Sequence, residues 1–223
     1  MLTYIALVVS TVVMLAVMLY CRKYCEISLV KTIIIAPILM LAGVECDHLM
    51  NYIEQGYWSG MSFYGSVLFL PIVFILVALI LRVPYGRMMD MLAIAACPTL
   101  ALMKLNCFLN GCCYGFVLKE YEDGLTIRFP SQIVELINGV ILMFVLLHIL
   151  KKGNRKGEIY PLFMIIYGTT RFILNFFRGD LRGFLWIIPQ GHLWSLISVI
   201  IGIIWITVVK ERRSNKDSCE VLN

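Results

Sequence analysis

Residues 61–82 read MSFYGSVLFLPIVFILVALILR, and this stretch decides the fold class. After Tyr64 it is built almost wholly of Val, Leu, Ile and Phe, and no charged side chain interrupts it before Arg82. About 20 apolar residues carry an α-helix across the hydrocarbon core of a bilayer. Lipid solvates such a surface directly, so the stretch predicts a transmembrane helix. Working outward, six further apolar runs appear, at 2–20, 28–45, 89–103, 131–150, 158–177 and 185–209. The fourth run in chain order is short, and the sixth carries Arg171 inside it. Apolar residues make up 61% of the chain and charged residues 15%, whereas soluble domains carry about one-quarter charged residues. The expectation is an all-α polytopic membrane protein with about seven transmembrane helices. Residues 1–209 form one domain, and the polar segment 210–223 forms a cytoplasmic tail without fixed structure.

Orientation follows from the loops, because Lys and Arg accumulate on the cytoplasmic side. With the N-terminus outside, the inner loops hold Arg22 and Lys23, Arg82 and Arg87, and the run Lys151, Lys152, Arg155 and Lys156. The tail adds Lys210, Arg212, Arg213 and Lys216, while the first outer loop carries only acids, Glu45, Asp47 and Glu54. N-out and C-in is therefore expected, in a bacterial plasma membrane. Leu2–Tyr20 has no basic residue ahead of it, the reverse of a secretory signal, and is expected to remain as a helix. The formal net charge of +5 is thus a matter of topology and gives no reason to expect a nucleic-acid partner.

Once the helices are placed, the polar residues that need explaining gather at the outer level. Tyr64 opens the third helix, Lys104 closes the fourth, and the segment Asn106–Gly115 follows it there. Arg171 lies roughly 9 Å from the outer end of the sixth helix, at about 1.5 Å per residue. An arginine inside a bilayer costs at least ~2.5 kcal/mol, so it needs an anionic partner or a wet cavity. Asn175 and Arg178 follow it by four and seven positions on the same helical face. Such a face suits a phosphate, which guanidinium groups grip in a bidentate way. A purely structural arrangement is the competing reading, with Arg178 reaching lipid headgroups and Arg171 pairing with Glu135 or a carbonyl.

Lys104-Leu105-Asn106-Cys107-Phe108-Leu109-Asn110-Gly111-Cys112-Cys113-Tyr114-Gly115 is too rich in amide, thiol and glycine to be plain helix. Its adjacent cysteines raise metal or redox chemistry. With no second spaced cysteine pair and no histidine cluster nearby, the pattern argues against a zinc site, and no metal is expected. His48 and His192 fall on the outer side, and His48 is the candidate base by position alone.

Taken together, these segments resemble the prolipoprotein diacylglyceryl transferase family. Ser62-Phe63-Tyr64-Gly65 resembles the family's Ser-Phe-His-Gly segment. Lys104–Gly115 is similar to its signature, Gly-Arg-x-Gly-Asn-Phe-x-Asn-Gly-Glu-x-x-Gly. Pro130-Ser131-Gln132 with Glu135 is similar to Pro-Thr/Ser-Gln-x-x-Glu. Tyr167-Gly168, Arg171-Phe172 and Phe177-Arg178 resemble Tyr-Gly-x-x-Arg-Phe…Phe-Arg. The likeness covers roughly residues 60–205 and marks a divergent member.

The resemblance implies transfer of the diacylglyceryl group of phosphatidylglycerol, or a related anionic lipid, to a cysteine thiol of a lipoprotein precursor peptide. It implies no cofactor. Arg171, Lys104 and Tyr64 occupy the catalytic positions. Asn110, Gly115, Gly65, Arg178, Cys107 and Glu135 occupy substrate-binding positions. Departures lie inside the site itself: Tyr64 stands for the family's histidine, Lys104 for an arginine, Cys112 and Asn175 for glutamates, and His192 for a glutamine. A tyrosine, with a reference pKa of about 10, is a poor base at neutral pH. The alternative expectation is a non-catalytic lipid- or peptide-binding membrane protein that keeps the cavity without the chemistry.

Overall fold

The computed structural model describes residues 2–121, 126–153, 156–179, 184–185 and 188–221. Among them lie seven helices: α1 Leu2–Cys25, α2 Leu29–Gln55, α3 Tyr64–Leu81, α4 Tyr85–Leu109, α5 Ser131–Lys151, α6 Ile159–Asn175 and α7 Gln190–Val221. Six are long and apolar enough to cross a membrane. The exception is α6, whose 17 residues span about 25 Å at about 1.5 Å per residue and which packs chiefly along α7. Its buried face holds Tyr160, Phe163, Met164 and Tyr167.

The bundle has the burial pattern of a membrane protein. Val30, Leu41, Ile72, Leu79, Ile80 and Phe144 point outward from the helices. In water, patches of this size mark an interface or an aggregation hazard; lipid removes that penalty. The interior is centred on α4, where Met88, Met89, Met91, Ala93, Ile94, Ala95 and Cys97 are fully buried. Small residues and adaptable methionines at this position let α1 and α5 approach closely. Gly65 does the same for α2 and α3, since a Cβ there would stand 1.9 Å from the Cys46 carbonyl oxygen.

Two helices that lack a capping side chain of their own receive one from a neighbour. Asp47 of α2 accepts from the Ser66 amide in the first turn of α3, at 2.7 Å. Asp90 of α4 accepts from the Ile159 and Tyr160 amides that open α6, at 2.9 and 3.3 Å. A carboxylate satisfies orphan N–H groups there and faces the positive end of the helix dipole. Pro71 poses a related problem inside α3, because without an N–H it leaves the carbonyl four residues earlier unbonded. That carbonyl, of Val67, accepts from the Tyr160 hydroxyl at 3.0 Å.

Several boundaries differ from the sequence expectation. α2 continues to Gln55, and α4 begins at Tyr85 and ends at Leu109, each longer than its apolar run. Polar residues at helix ends stand beyond the hydrocarbon without breaking the helix. α7 likewise continues to Val221, through most of the segment expected to lack fixed structure. Its Arg213 is anchored to Glu158 at 3.0 Å and to the Lys156 carbonyl at 3.0 Å, and Lys, Glu and Arg are good helix formers. Two short antiparallel hairpins, β1 Val117–Glu120 with β2 Thr126–Arg128 and β3 Phe184–Leu185 with β4 Ile188–Pro189, were not expected. They lie at the end of the bundle where α2, α4 and α6 finish and α3, α5 and α7 begin, here called the motif end.

Candidate active site

Glu135, on the second turn of α5, is the hub of the motif end. Its side chain is 4% exposed and is ion-paired with Arg171 of α6, with Lys104 of α4 at 2.7 Å, and with Arg178 just beyond α6 at 3.1 Å. Three cations thus meet on one carboxylate in a poorly solvated place. Buried ions need partners to remain charged, and Arg171 is only partly satisfied: among the described residues its buried Nε atom has no hydrogen-bond acceptor. A cluster of this kind can hold an anion.

Local sequence explains how these side chains converge. The Ser131 hydroxyl donates to the Cys113 carbonyl at 2.7 Å, and the Gln132 amide donates to the Cys112 carbonyl at 2.6 Å. The Ser-Gln pair thus ties the start of α5 to the turn after α4, fixing Lys104 and Glu135 relative to each other. Gly115 then runs between two other segments. Its N–H donates to the Phe129 carbonyl at 2.9 Å, it bridges to Arg178, and the neighbouring Phe116 amide donates to the Phe177 carbonyl. A Cβ at Gly115 would lie 2.5 Å from the Phe129 Cβ and 2.7 Å from the Phe177 oxygen. Only glycine permits this threading, which places Arg178.

Two cavities meet at the cluster. One, with about 1200 Å³ of empty space, opens among α1, α2, α3, α4 and α6. Its walls are apolar, including Leu7, Met14, Leu39, Met40, Leu70 and Leu100, and its polar end carries Lys104, Asp47 and Arg171. The other, of about 570 Å³, is lined by Glu54, Asn175, Arg178, Gln190 and His192. Ser62, Tyr64 and Arg171 line both. One side suits acyl chains, the other a polar group, and the cationic cluster lies between them.

Tyr64 is not free to act as a base. Its hydroxyl is 2.5 Å from the Ser195 hydroxyl, which donates to the Gly191 carbonyl at 2.6 Å and so accepts from Tyr64. Asn175 also donates to Ser195, at 3.3 Å. Tyr64 therefore joins α3, α6 and α7 and forms part of the wall between the cavities. His48 lines neither cavity, and its Nδ1 lies 2.7 Å from the Gly60 carbonyl. Among the described residues the two buried ring nitrogens of His192 have no partner, and the ring packs edge-on against Phe172 and Phe176.

The structure thus brings together Lys104, Glu135, Arg171, Arg178 and Tyr64, with Cys107 on the wall of the apolar cavity. It does not bring Gly65 or Asn110 into either cavity. Gly65 serves the α2–α3 contact, and Asn110 is exposed, its amide bonded to Asn106 at the end of α4. Gly115 shapes the site through backbone alone. Sequence reasoning missed Asp47, Ser195 and Gln190. An acid or hydroxyl within an apolar run was the available signal, and such residues also occur as ordinary helix caps.

The profile of the prolipoprotein diacylglyceryl transferase family matches residues 47–208. The chain belongs to this family. Among curated relatives, the phosphatidylglycerol–prolipoprotein diacylglyceryl transferase of Clostridium tetani is 30% identical over 137 residues, covering 57% of this chain and 55% of the relative. The enzyme of the same description from Methylobacillus flagellatus is 28% identical over 177 residues, covering 74% and 66%. That from Bordetella parapertussis is 32% identical over 142 residues, covering 59% and 54%. The matched part spans little more than half to two-thirds of these family members' own lengths. The matched residues contain every member of the cationic cluster.

Proposed function

We propose that this protein transfers the diacylglyceryl group of phosphatidylglycerol, or a related anionic glycerolipid, to a cysteine thiol of a lipoprotein precursor, at the outer face of a bacterial plasma membrane. The observation that carries the reading is the buried Lys104–Arg171–Arg178 cluster on Glu135, set where an apolar cavity meets a polar one. Acyl chains occupy the apolar cavity, and the phosphodiester lies against the cations. The acceptor thiolate attacks the glyceryl carbon that carries the phosphate oxygen. A C–S bond forms, the C–O bond breaks, and glycerol phosphate leaves with the electron pair.

The phosphate gains a second negative charge as that bond breaks, so fixed cations stabilise the transition state more than the bound lipid. Arg171 supplies the donor nearest both cavities, while Lys104 and Arg178 complete the charge. Glu135 holds the three cations in place and limits their mutual repulsion. The thiol must lose its proton to become a nucleophile. His192 lines the polar cavity with unpartnered ring nitrogens, which supports it as the proton acceptor in place of Tyr64 and His48.

The test is direct. Purified protein reconstituted with phosphatidylglycerol and a lipobox peptide should give the thioether product by mass, and Arg171→Ala should abolish it while the protein stays folded. Saturable binding of the lipid with no product from any anionic glycerolipid would instead establish a binding protein that retains the cavity.

A further inference from the structure

In the wall of the apolar cavity and the turn beside it, the helix end and the turn bring three thiols together. Cys107 lies on the last turns of α4, whereas Cys112 and Cys113 follow in the turn. Their sulfur atoms all lie within 4.8 Å of one another. None of the three is in a disulfide. Three thiolates held by an ion of zinc's size, at about 2.3 Å each, stand about 4 Å apart. A small change of side-chain rotamer closes the set.

The turn is arranged to keep this grouping. Cys113 adopts a left-handed backbone, φ 61°, which costs a non-glycine residue about 1 kcal/mol or more. The Cys112 amide donates to the Cys107 carbonyl at 3.0 Å, folding the chain back on the helix end. Ser131 and Gln132 pin the carbonyls of Cys113 and Cys112. Charge favours the site as well, because Cys107 and Cys113 line the same cavity as Lys104 and Arg171. Three thiolates and a divalent ion carry one net negative charge, which these two cations accommodate.

We propose that Cys107, Cys112 and Cys113 form a binding site for one soft d10 metal ion. Thiolate ligands select Cu(I) and Zn(II) over hard cations. Three sulfurs suit trigonal Cu(I), or Zn(II) with water as a fourth ligand. Cys107 and Cys113 also line the apolar cavity, so the bound ion sits in the wall of the lipid site. The absence of a second spaced cysteine pair, which argued against a metal, does not apply once helix and turn supply the ligands together.

The experiment uses the full chain, reduced and handled without oxygen in detergent, and does not depend on transferase activity. Cd²⁺ serves as the optical probe and Cu(I) and Zn²⁺ as the competitors. One Cd²⁺ per chain should bind with an ultraviolet thiolate-to-metal band, and affinity should rise with pH because binding displaces thiol protons. Cys112→Ser, at an exposed position, should weaken binding at least tenfold with unchanged helix content. A variant with all three changed to Ser should lose the band, leaving the other cysteines as the internal control. The competitor that displaces Cd²⁺ at lower concentration identifies the preferred ion. Equal binding in the triple variant would overturn the site, as would no binding in the parent or a disulfide among the three that persists in the reduced protein.

Discussion

Glu135 faces Lys104, Arg171 and Arg178 from a nearly dry position. Removing a single partner from a buried ion cluster costs about 3–5 kcal/mol, since charges remain buried and unpaired. Glu135→Gln should therefore lower the thermal unfolding midpoint of the purified protein more than Arg178→Gln, which leaves two cations on the carboxylate. Lys104→Arg keeps the charge and adds planar donors, so product formation should be retained or raised. Lys104→Met should slow it by about 10- to 100-fold, the loss of one charged hydrogen bond of about 1.5–3 kcal/mol. Loss of activity in Lys104→Arg with the fold intact would remove Lys104 from the phosphate site.

Elements matter where backbone geometry sets the side chains. Gly115→Ala places a Cβ against Phe129 and the Phe177 carbonyl, and Arg178 is carried by the same backbone. Product formation should fall at least tenfold while helix content by circular dichroism stays unchanged, because the seven helices do not depend on this segment. Parent-like activity would show that the 114–116 segment does not place Arg178. Inside α3, Tyr160→Phe deletes the donor to the Val67 carbonyl that Pro71 leaves open. An unsatisfied buried carbonyl costs about 1–3 kcal/mol, so thermal stability should drop. Restoring the helix amide with Pro71→Ala in the same chain should recover most of that loss.

For the whole molecule, the opposite end of the bundle is tied by Glu26, which joins α1 and α2 to Arg87 and Lys156. The hydrogen bond from Lys156, followed by the charge of Arg87, holds the Glu26 carboxyl below its ordinary value of 4.5. A depressed carboxylate stabilises the fold above its unfolded pKa and loses that contribution as pH falls through the folded one. Glu26→Gln should thus destabilise slightly at pH 7, and the difference from the parent should shrink as pH falls below 4.5 and vanish below the lowered folded-state value. The effect is small because the pair is open to solvent and screened by salt. The N-out orientation that the loop charges lead us to propose belongs to this scale too. A membrane-impermeant thiol reagent on intact cells should label Cys112, and failure to label it would reverse the topology.

The sequence by itself determined the membrane class, seven helical segments, the family and the four motifs that hold Lys104, Glu135, Arg171 and Arg178. Those features are local: apolar runs set where helices cross lipid, and charged residues in such runs cost too much to be incidental. Packing set which of these residues meet and which stand apart. Lys104, Glu135 and Arg171 come from three different helices, so their meeting on one carboxylate depends on packing and register. The same holds for Tyr64, whose bond to Ser195 crosses from α3 to α7, and for Gly65 and Asn110, which serve helix contacts and a helix end. The Cys107–Cys112–Cys113 grouping arises because a turn with positive φ folds back on α4. Spacing along the chain cannot report such distances.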